Sequence, residues 1–168
     1  MTEPLLRLPV GVVVERRNAS SPWIDAIWRP VAVLAGLPDV APWTTLREDE
    51  NATAYYAGPA EIVLYRSETE GYSNNLASGS PSLWVSLHAA AEDPPYAIAG
   101  VTADPAEGEA WTEPGQAIVE AVAIPQSLRD EIAAFVERYP PKPAFVKRQR
   151  DRADPEALAR RSPQAGRR

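Results

Sequence analysis

The chain has 168 residues, of which 45% are hydrophobic and 24% are charged. These values are ordinary for a soluble globular protein and favour one domain with a sizeable core. The absence of cysteine excludes disulfides, thiolate metal sites and thiol catalysis. No apolar run approaches the roughly 18 residues of a membrane span, and residues 1–14 lack the features of a signal peptide. We therefore expect a cytoplasmic protein without a membrane partner.

Charge is divided unevenly along the chain. Nine of the 17 basic and three of the 23 acidic residues lie from Lys142 onward, which gives this segment a net charge of +6. The remaining 8 basic and 20 acidic residues give residues 1–141 a net charge of −12. An acidic body argues against nucleic-acid binding by the body. The basic segment is available to an acidic partner or to its own body.

The N-terminal part of the chain predicts two strands and a short helix. Leu8–Glu15 is an unbroken run rich in apolar residues, which is typical of a strand buried on both faces and central in its sheet. Ser21 is a favoured helix cap before Pro22, and we expect one or two helical turns that end at Arg29. Val31–Leu34 is the second predicted strand.

The middle of the chain predicts a meander of short strands. Trp43–Arg47 and Thr53–Ala57 are expected to pair across an acidic turn. A second turn is predicted at residues 57–59, because glycine and proline are adjacent there. The next strand then begins at Glu61, so three short strands follow one another through tight turns.

The segment Glu61–Leu87 is the stretch around which we expect the fold to be organised. It predicts a strand, a short helix and a second strand, with Ser67 and Glu70 as a capping box and Gly79 at the end of the helix. The connection between the two strands is long enough for a parallel crossover, but an antiparallel return fits equally well.

The C-terminal part predicts two further strands and a strongly amphipathic helix. The strands cover residues 96–103 and 118–124, and Asp104-Pro105 starts a turn after the first of them. The helix begins near Ser127 and is expected to cover the sheet with one apolar face. The positions of that face are Leu128, Ile132, Phe135, Val136 and Tyr139.

Together these patterns predict an α+β fold. We expect a mostly antiparallel sheet, open or partly closed, with two main helices. Residues 1–141 should form a single domain. Residues 142–168 should form a basic, flexible and largely disordered tail, because they are polar and contain proline and glycine.

Few side chains suit a catalytic or metal site. The single histidine, His88, has no second histidine or cysteine with which to form a triad or a metal site. Asp104, Glu107 and Glu109 are close enough in sequence to hold a hard cation, but a solvated turn explains them better. No glycine-rich phosphate loop is present. We therefore predict no catalytic residue, no metal and no cofactor.

Binding residues are predicted mainly in the basic tail, and we expect its densest run to contact an acidic protein surface. This run contains Lys147, Arg148, Arg150 and Arg152. Nucleic acid is the less favoured partner, because the run lacks interleaved aromatic residues.

Arg16, Arg17 and Arg29 are an alternative, anion-binding set. The five tryptophans either fill the core or mark a partner surface.

Several stretches between residues 10 and 152 form a familiar set. They are Val10–Arg17, Trp28–Val33, Tyr55–Gly58, Asn75–Gly79, Pro81–Val85, Thr102–Glu109 and Phe145–Arg148. The set resembles a proteobacterial family of unknown function encoded beside molybdenum-dependent formate dehydrogenase genes. This resemblance implies a role in supply or maturation of a molybdenum enzyme, and it implies no catalytic residue.

Members of that family are sometimes labelled as molybdopterin-guanine dinucleotide biosynthesis protein A. That enzyme binds GTP phosphates with a Leu-Ala-Gly-Gly loop followed by Arg-Met-Gly and a lysine. This chain has only Leu34-Ala35-Gly36-Leu37-Pro38, in which the second glycine is missing and Pro38 lacks an amide donor. The residues therefore do not support guanylyltransferase activity.

The expected function is that of a non-catalytic accessory protein that binds an acidic protein surface. The resemblance implies formate dehydrogenase or one of its maturation factors as the partner. An enzyme or carrier that acts on the anionic molybdenum cofactor is the alternative, with the three arginines as its contacts. Nucleic-acid binding through the tail is the third class.

Overall fold

In a computed structural model, which describes residues 5–113 and 117–143, the chain forms two antiparallel sheets and three α-helices. This confirms the predicted α+β class. The predicted basic tail lies almost entirely outside the described residues. The strands are β1 (Leu6–Asn18), β2 (Ala26–Ala35), β3 (Thr44–Glu48), β4 (Ala52–Leu64), β5 (Ser82–Ala89), β6 (Tyr96–Thr102) and β7 (Ile118–Ala123). The helices are α1 (Thr69–Ala77), α2 (Pro105–Ala110) and α3 (Gln126–Arg138).

The first sheet has the strand order β2-β1-β4-β3, so β1 is a central strand as predicted. Its alternate residues Val10, Val12 and Val14 lie in the main core. On the opposite face Val13 and Glu15 are also buried. Burial on both faces explains why this strand has a nearly continuous apolar sequence.

The turn predicted at residues 57–59 is wrong, because β4 continues through these residues. Val12 of β1 is opposite Gly58, whereas Val13 is opposite Tyr56, so Ala57 is an extra residue in the ladder. This is a β-bulge, and Gly58 has the positive φ of 140° that glycine tolerates. Glycine in this sequence therefore marks a bulge within a long strand, not the end of a short one.

The short helix predicted between Pro22 and Arg29 is also wrong, because this part of the chain enters β2. Arg16, Arg17 and Asn18 extend β1 beyond its predicted end and pair with Trp28, Ile27 and Ala26 of β2. The predicted cap bond is present, since the Ser21 hydroxyl accepts from the Trp23 N–H at 3.2 Å. It closes a turn and not a helix, because strand pairing outweighs the local helical preference.

The hairpin of β3 and β4 agrees with the prediction. Its turn is closed by the Asp49 carboxylate, which accepts from the backbone N–H groups of Asn51 and Ala52 at 2.9 Å each. These hydrogen bonds, led by the one from Asn51, hold the pKa of Asp49 below its ordinary value.

The second sheet has the strand order β6-β5-β7. Because β4 and β5 belong to different sheets, their connection is neither of the two alternatives considered from the sequence. A 3₁₀ turn precedes α1, and the predicted capping box is not formed, since the Ser67 hydroxyl bonds to Glu68. Helix α1 ends at Ala77, shortly before Gly79, as predicted.

One core joins the two sheets and the helices. The predicted apolar face of α3 is confirmed, since Leu128, Ile132 and Phe135 are buried and belong to the same cluster as residues from both sheets. Helix α3 packs on α1, while β4 contacts β6 and β2 contacts β7. Within residues 5–113 and 117–143 the sheets are not closed into a barrel. No helix in this part of the chain is long and apolar enough to cross a membrane.

Candidate functional site

The three arginines of the predicted anion site lie on two different faces of the first sheet. Neighbouring residues in a strand point to opposite faces, which separates Arg16 from Arg17. Arg29 is opposite Glu15 in the ladder and shares the face of Arg17. The structure therefore brings two of the three predicted arginines together.

Glu15 lies between these two arginines. Its Oε1 atom is 3.1 Å from Nε of Arg17 and 3.8 Å from an Nη atom of Arg29. The Glu15 side chain is only 8% exposed, whereas both arginine side chains are about half exposed. A carboxylate buried in this way needs cationic partners. Glu15, Arg17 and Arg29 together have a net charge of +1. They therefore attract an anion less strongly than two arginines without a carboxylate partner would.

Arg16 has a different environment on the other face. Its guanidinium carbon is 6.0 Å from the ring centroid of Trp28, and its Nη1 donates to the side chain of Asn18 at 3.1 Å. This is a cation–π contact between cross-strand neighbours.

Anion binding by the arginines stays a prediction. The four tail residues predicted to bind a partner, Lys147, Arg148, Arg150 and Arg152, lie outside the described residues.

The acidic residues after β6 have structural roles. The sequence predicted only a turn here, but Asp104 is the N-cap of α2 and accepts from the Ala106 N–H at 3.0 Å. Glu107 accepts from the Thr102 hydroxyl at 3.1 Å. In the part of the chain that the structure describes, no group of three or more histidine, cysteine or acidic side chains could hold a metal ion. An Asp-Pro pair at the start of a helix is the signal that sequence reasoning missed.

Two further positions considered from the sequence have ordinary environments. His88 is exposed near the end of β5, opposite Ala97. Gly36 ends β2 with a φ of 83°, and its N–H donates to the Pro9 carbonyl oxygen at 3.3 Å. The residues after it lead into β3 and not into a helix, so the loop lacks the helix N-terminus of a phosphate site.

The five tryptophans fall into three environments. Trp84 and Trp111 pack against glycines, Gly108 and Gly100 respectively. Trp28 and Trp43 are partly buried and pack against the core. Trp23 is 91% exposed. The core interpretation therefore applies to Trp28 and Trp43, and Trp23 lies outside the core.

An aromatic cluster joins the two sheets at the end of the core. It consists of Trp28, Trp43, Tyr55 and Tyr96. Trp28 from β2 stacks on Tyr55 from β4 across the intervening strand, with ring centroids 5.9 Å apart and planes at 18°. Trp43 meets both rings edge-on, at 6.2 Å from Trp28 and 6.0 Å from Tyr55. A cavity of about 160 Å³ is lined by these three rings together with Asp93 and Pro94.

An exposed apolar patch lies at the hairpin that connects β1 and β2. This hairpin patch consists of Trp23, Ile24 and Ile27, which are 91%, 54% and 52% exposed. Hydrogen bonds close the loop, from the Trp23 N–H to the Ser21 hydroxyl and from the Ala19 N–H to the Asp25 carbonyl oxygen at 3.3 Å. Sequence reasoning missed this patch because it predicted helical turns between Pro22 and Arg29, where the structure has a loop and the start of β2.

Comparison with known proteins gives a family but no activity. The family model described as a protein of unknown function (DUF3305) matches residues 9–150. No curated protein and no solved structure shows significant similarity to the chain. Since the match covers most of the chain and includes both sheets and all three helices, the protein belongs to the DUF3305 family.

Proposed function

We propose that this protein is a non-catalytic accessory protein that binds an acidic protein partner through its hairpin patch. The observation that carries the proposal is the position of Trp23, a large aromatic side chain held in solvent by a hydrogen-bonded loop. An exposed tryptophan with two exposed isoleucines is costly to keep in water and is typical of the centre of an interface.

The charges beside the patch indicate the chemistry of the partner. Ile27 is opposite Arg17 in the ladder, and Arg29 follows two residues after Ile27 on the same face. The side chains of Arg17 and Arg29 are about half exposed, and with Glu15 they have a net charge of +1. An apolar centre of this kind fits a partner with an apolar pocket. Asp25 in the same loop and Asp49, on which the charge of Arg17 acts, make the charge around the patch mixed, so the preference for an acidic partner comes mainly from the basic tail.

The identity of the partner rests on the sequence resemblance alone. It suggests molybdenum-dependent formate dehydrogenase or one of its maturation factors, in the cytoplasm. An enzyme or carrier for the anionic cofactor has less support, since Glu15 already pairs with two of the three arginines that it would use.

Binding of the purified protein to the host's formate dehydrogenase subunits and maturation factors tests the proposal, measured by isothermal titration calorimetry. Trp23→Ser should weaken the complex by about 2 kcal/mol or more, or about 30-fold in Kd. Leu37→Ser is the matched control, because Leu37 is 55% exposed but follows the opposite end of β2. Equal affinity of the wild type and Trp23→Ser would exclude the patch as the interface. No binding by any of these proteins would exclude the named partners.

A further inference from the structure

We propose that the cavity of the aromatic cluster binds a compact organic cation, an alkylated ammonium or guanidinium group. This site is separate from the hairpin patch and does not depend on the proposed function. Three of the five residues that line the cavity are aromatic, namely Trp28, Trp43 and Tyr55. The other two are Asp93 and Pro94.

The arrangement of the rings suits a cation. Trp43 is inclined at 81° to Trp28 and at 63° to Tyr55, so the cavity is bounded by rings in different planes. All three ring centroids lie within 6.2 Å of one another. Because all three rings line the cavity, a cation in it would lie beside them, and an aromatic ring attracts a cation over its face within about 6 Å of the ring centroid. Arg16 does not line the cavity, but its guanidinium carbon already lies 6.0 Å from the ring centroid of Trp28.

The backbone of Trp43 gives independent support. Its φ is 68°, in the left-handed region that bulky residues rarely adopt. The residue is held there in part by its N–H, which donates to the Tyr56 carbonyl oxygen. Backbone strain of this kind is concentrated at binding sites, where the surrounding structure maintains it. In this backbone conformation the indole of Trp43 lines the cavity.

The charge of Asp93 and the volume of the cavity limit the class of ligand that can bind. Asp93 is exposed, and none of the ion pairs within residues 5–113 and 117–143 involves it. Its carboxylate attracts a cation and disfavours an anion. The cavity volume of about 160 Å³ is close to that of an engineered cavity of about 150 Å³ that holds benzene. It is smaller than the roughly 300–1,000 Å³ of a site for a drug-sized ligand, so it suits a single head group.

The test compares choline with its neutral isostere 3,3-dimethylbutanol, using the full chain. Tryptophan fluorescence and indole N–H chemical shifts report binding. We expect saturable binding of choline that is at least about tenfold stronger than that of the isostere. Equal binding of the two would show a merely apolar cavity, and absence of saturable choline binding would show no site. Either result would overturn the proposal.

Variants assign the binding to these residues. Trp43→Gly removes one ring and also relieves the positive φ, and we expect choline binding to fall at least about tenfold. Asp93→Asn changes only an exposed charge and should weaken binding about threefold while the protein stays folded. Asp39→Asn is the control, because it removes an exposed carboxylate that does not line the cavity, and it should leave choline affinity unchanged. Unchanged affinity in both Trp43→Gly and Asp93→Asn would contradict the proposed site.

The cation has two potential sources, a separate molecule or the basic tail of this chain. Replacing Lys147, Arg148, Arg150 and Arg152 by glutamine separates the two. If the tail occupies the cavity, this change should strengthen choline binding because a competitor is removed. Unchanged choline affinity assigns the site to a cation supplied by another molecule.

Discussion

Gly108 in α2 lies against the indole ring of Trp84 in β5, so closely that a Cβ atom added to the glycine would be 2.6 Å from Cδ1 and Cδ2 of the ring. This contact holds α2 against the second sheet. A side chain at residue 108 would displace the helix or the ring, although alanine is ordinarily preferred to glycine in a helix.

We expect Gly108→Ala to lower the free energy of unfolding by about 1–3 kcal/mol, because overpacking outweighs the helical preference. Urea denaturation monitored by tryptophan fluorescence measures the change. Gly79→Ala is the matched control, since no atom lies within 4 Å of an added Cβ there, and it should be nearly neutral. A Gly108→Ala protein as stable as the wild type would mean that α2 is not held by this contact.

Asn75 connects α1 to the ends of two strands of the second sheet. Its Nδ2 donates to the carbonyl oxygens of Ser82 at 2.7 Å and Ala103 at 3.0 Å, and its Oδ1 accepts from the Ser82 N–H at 3.0 Å. The side chain is buried. We expect Asn75→Ala to cost about 2–4 kcal/mol, because buried backbone groups lose their partners. Asn74→Ala, at an exposed neighbouring position, should change stability by less than about 0.5 kcal/mol. Similar small changes in both proteins would contradict this role.

Phe135 anchors α3 to α1. Its ring meets Tyr72 edge-on at 6.1 Å and also contacts Tyr139 at 5.1 Å. We expect Phe135→Ala to lower the free energy of unfolding by about 3–5 kcal/mol, the range for an aromatic side chain removed from a core. Chemical denaturation should show a change within about 0.5 kcal/mol for Glu137→Ala, which alters an exposed position of the same helix. A loss below about 1 kcal/mol for Phe135→Ala would mean that α3 is peripheral to stability.

Tyr72 should make stability fall at high pH. Burial raises the pKa of its hydroxyl from 10.0 to about 12. Between these values the unfolded chain releases a proton that the folded protein retains, so the free energy of unfolding should decrease with pH. The slope is about 1.4 kcal/mol per pH unit, and the contribution of Tyr72 is fully present below pH 10.

The Tyr72→Phe variant isolates this effect. At pH 8 it should be less stable by about 1 kcal/mol, because the Tyr65 N–H loses its acceptor, the Tyr72 hydroxyl oxygen. The difference between the two proteins should shrink and then reverse as pH rises from 10 to 12. Denaturation curves measured at several pH values test this, and parallel pH profiles would contradict it.

The basic tail should affect partner binding more than stability. Exposed ion pairs contribute only about 0–1 kcal/mol each, which is less than the entropy cost of ordering a tail. Charge reversal at Lys147, Arg148, Arg150 and Arg152 should therefore weaken the partner complex and leave the melting temperature nearly unchanged. Calorimetry of the complex and of the free protein gives both values. A large drop in melting temperature with an intact complex would show instead that the tail is a structural strap.

Local patterns were sufficient to predict three of the elements. The valine run of β1, the spacing of Leu128, Ile132 and Phe135 in α3, and the acidic turn closed by Asp49 were all predictable from the sequence. In each case the residues that determine the element are close together in the chain. An unbroken apolar run, a helical spacing of 3.6 residues and a turn residue are each contained in a short local window.

Long-range pairing determined the elements that were predicted wrongly. Ser21 and Pro22 carry a helix-start signal, yet Trp28 and its neighbours pair with the far end of β1. Gly58 carries a turn signal, yet the ladder with β1 continues past it through a bulge. The free energy of strand pairing comes from residues distant in sequence, so a local window does not contain it.

The sequence alone determined the class of the fold, its central strand and the helix that covers its core. Only the tertiary structure decided which functional side chains meet. Arg16 and Arg17 are adjacent in the chain, yet strand geometry places one over Trp28 and the other beside Glu15. Trp28, Trp43 and Tyr55 are 27 residues apart at most, but they line one cavity because β1 brings β2 and β4 together. Side chains from separate strands converge only after the strands have paired, and pairing is a property of the whole chain.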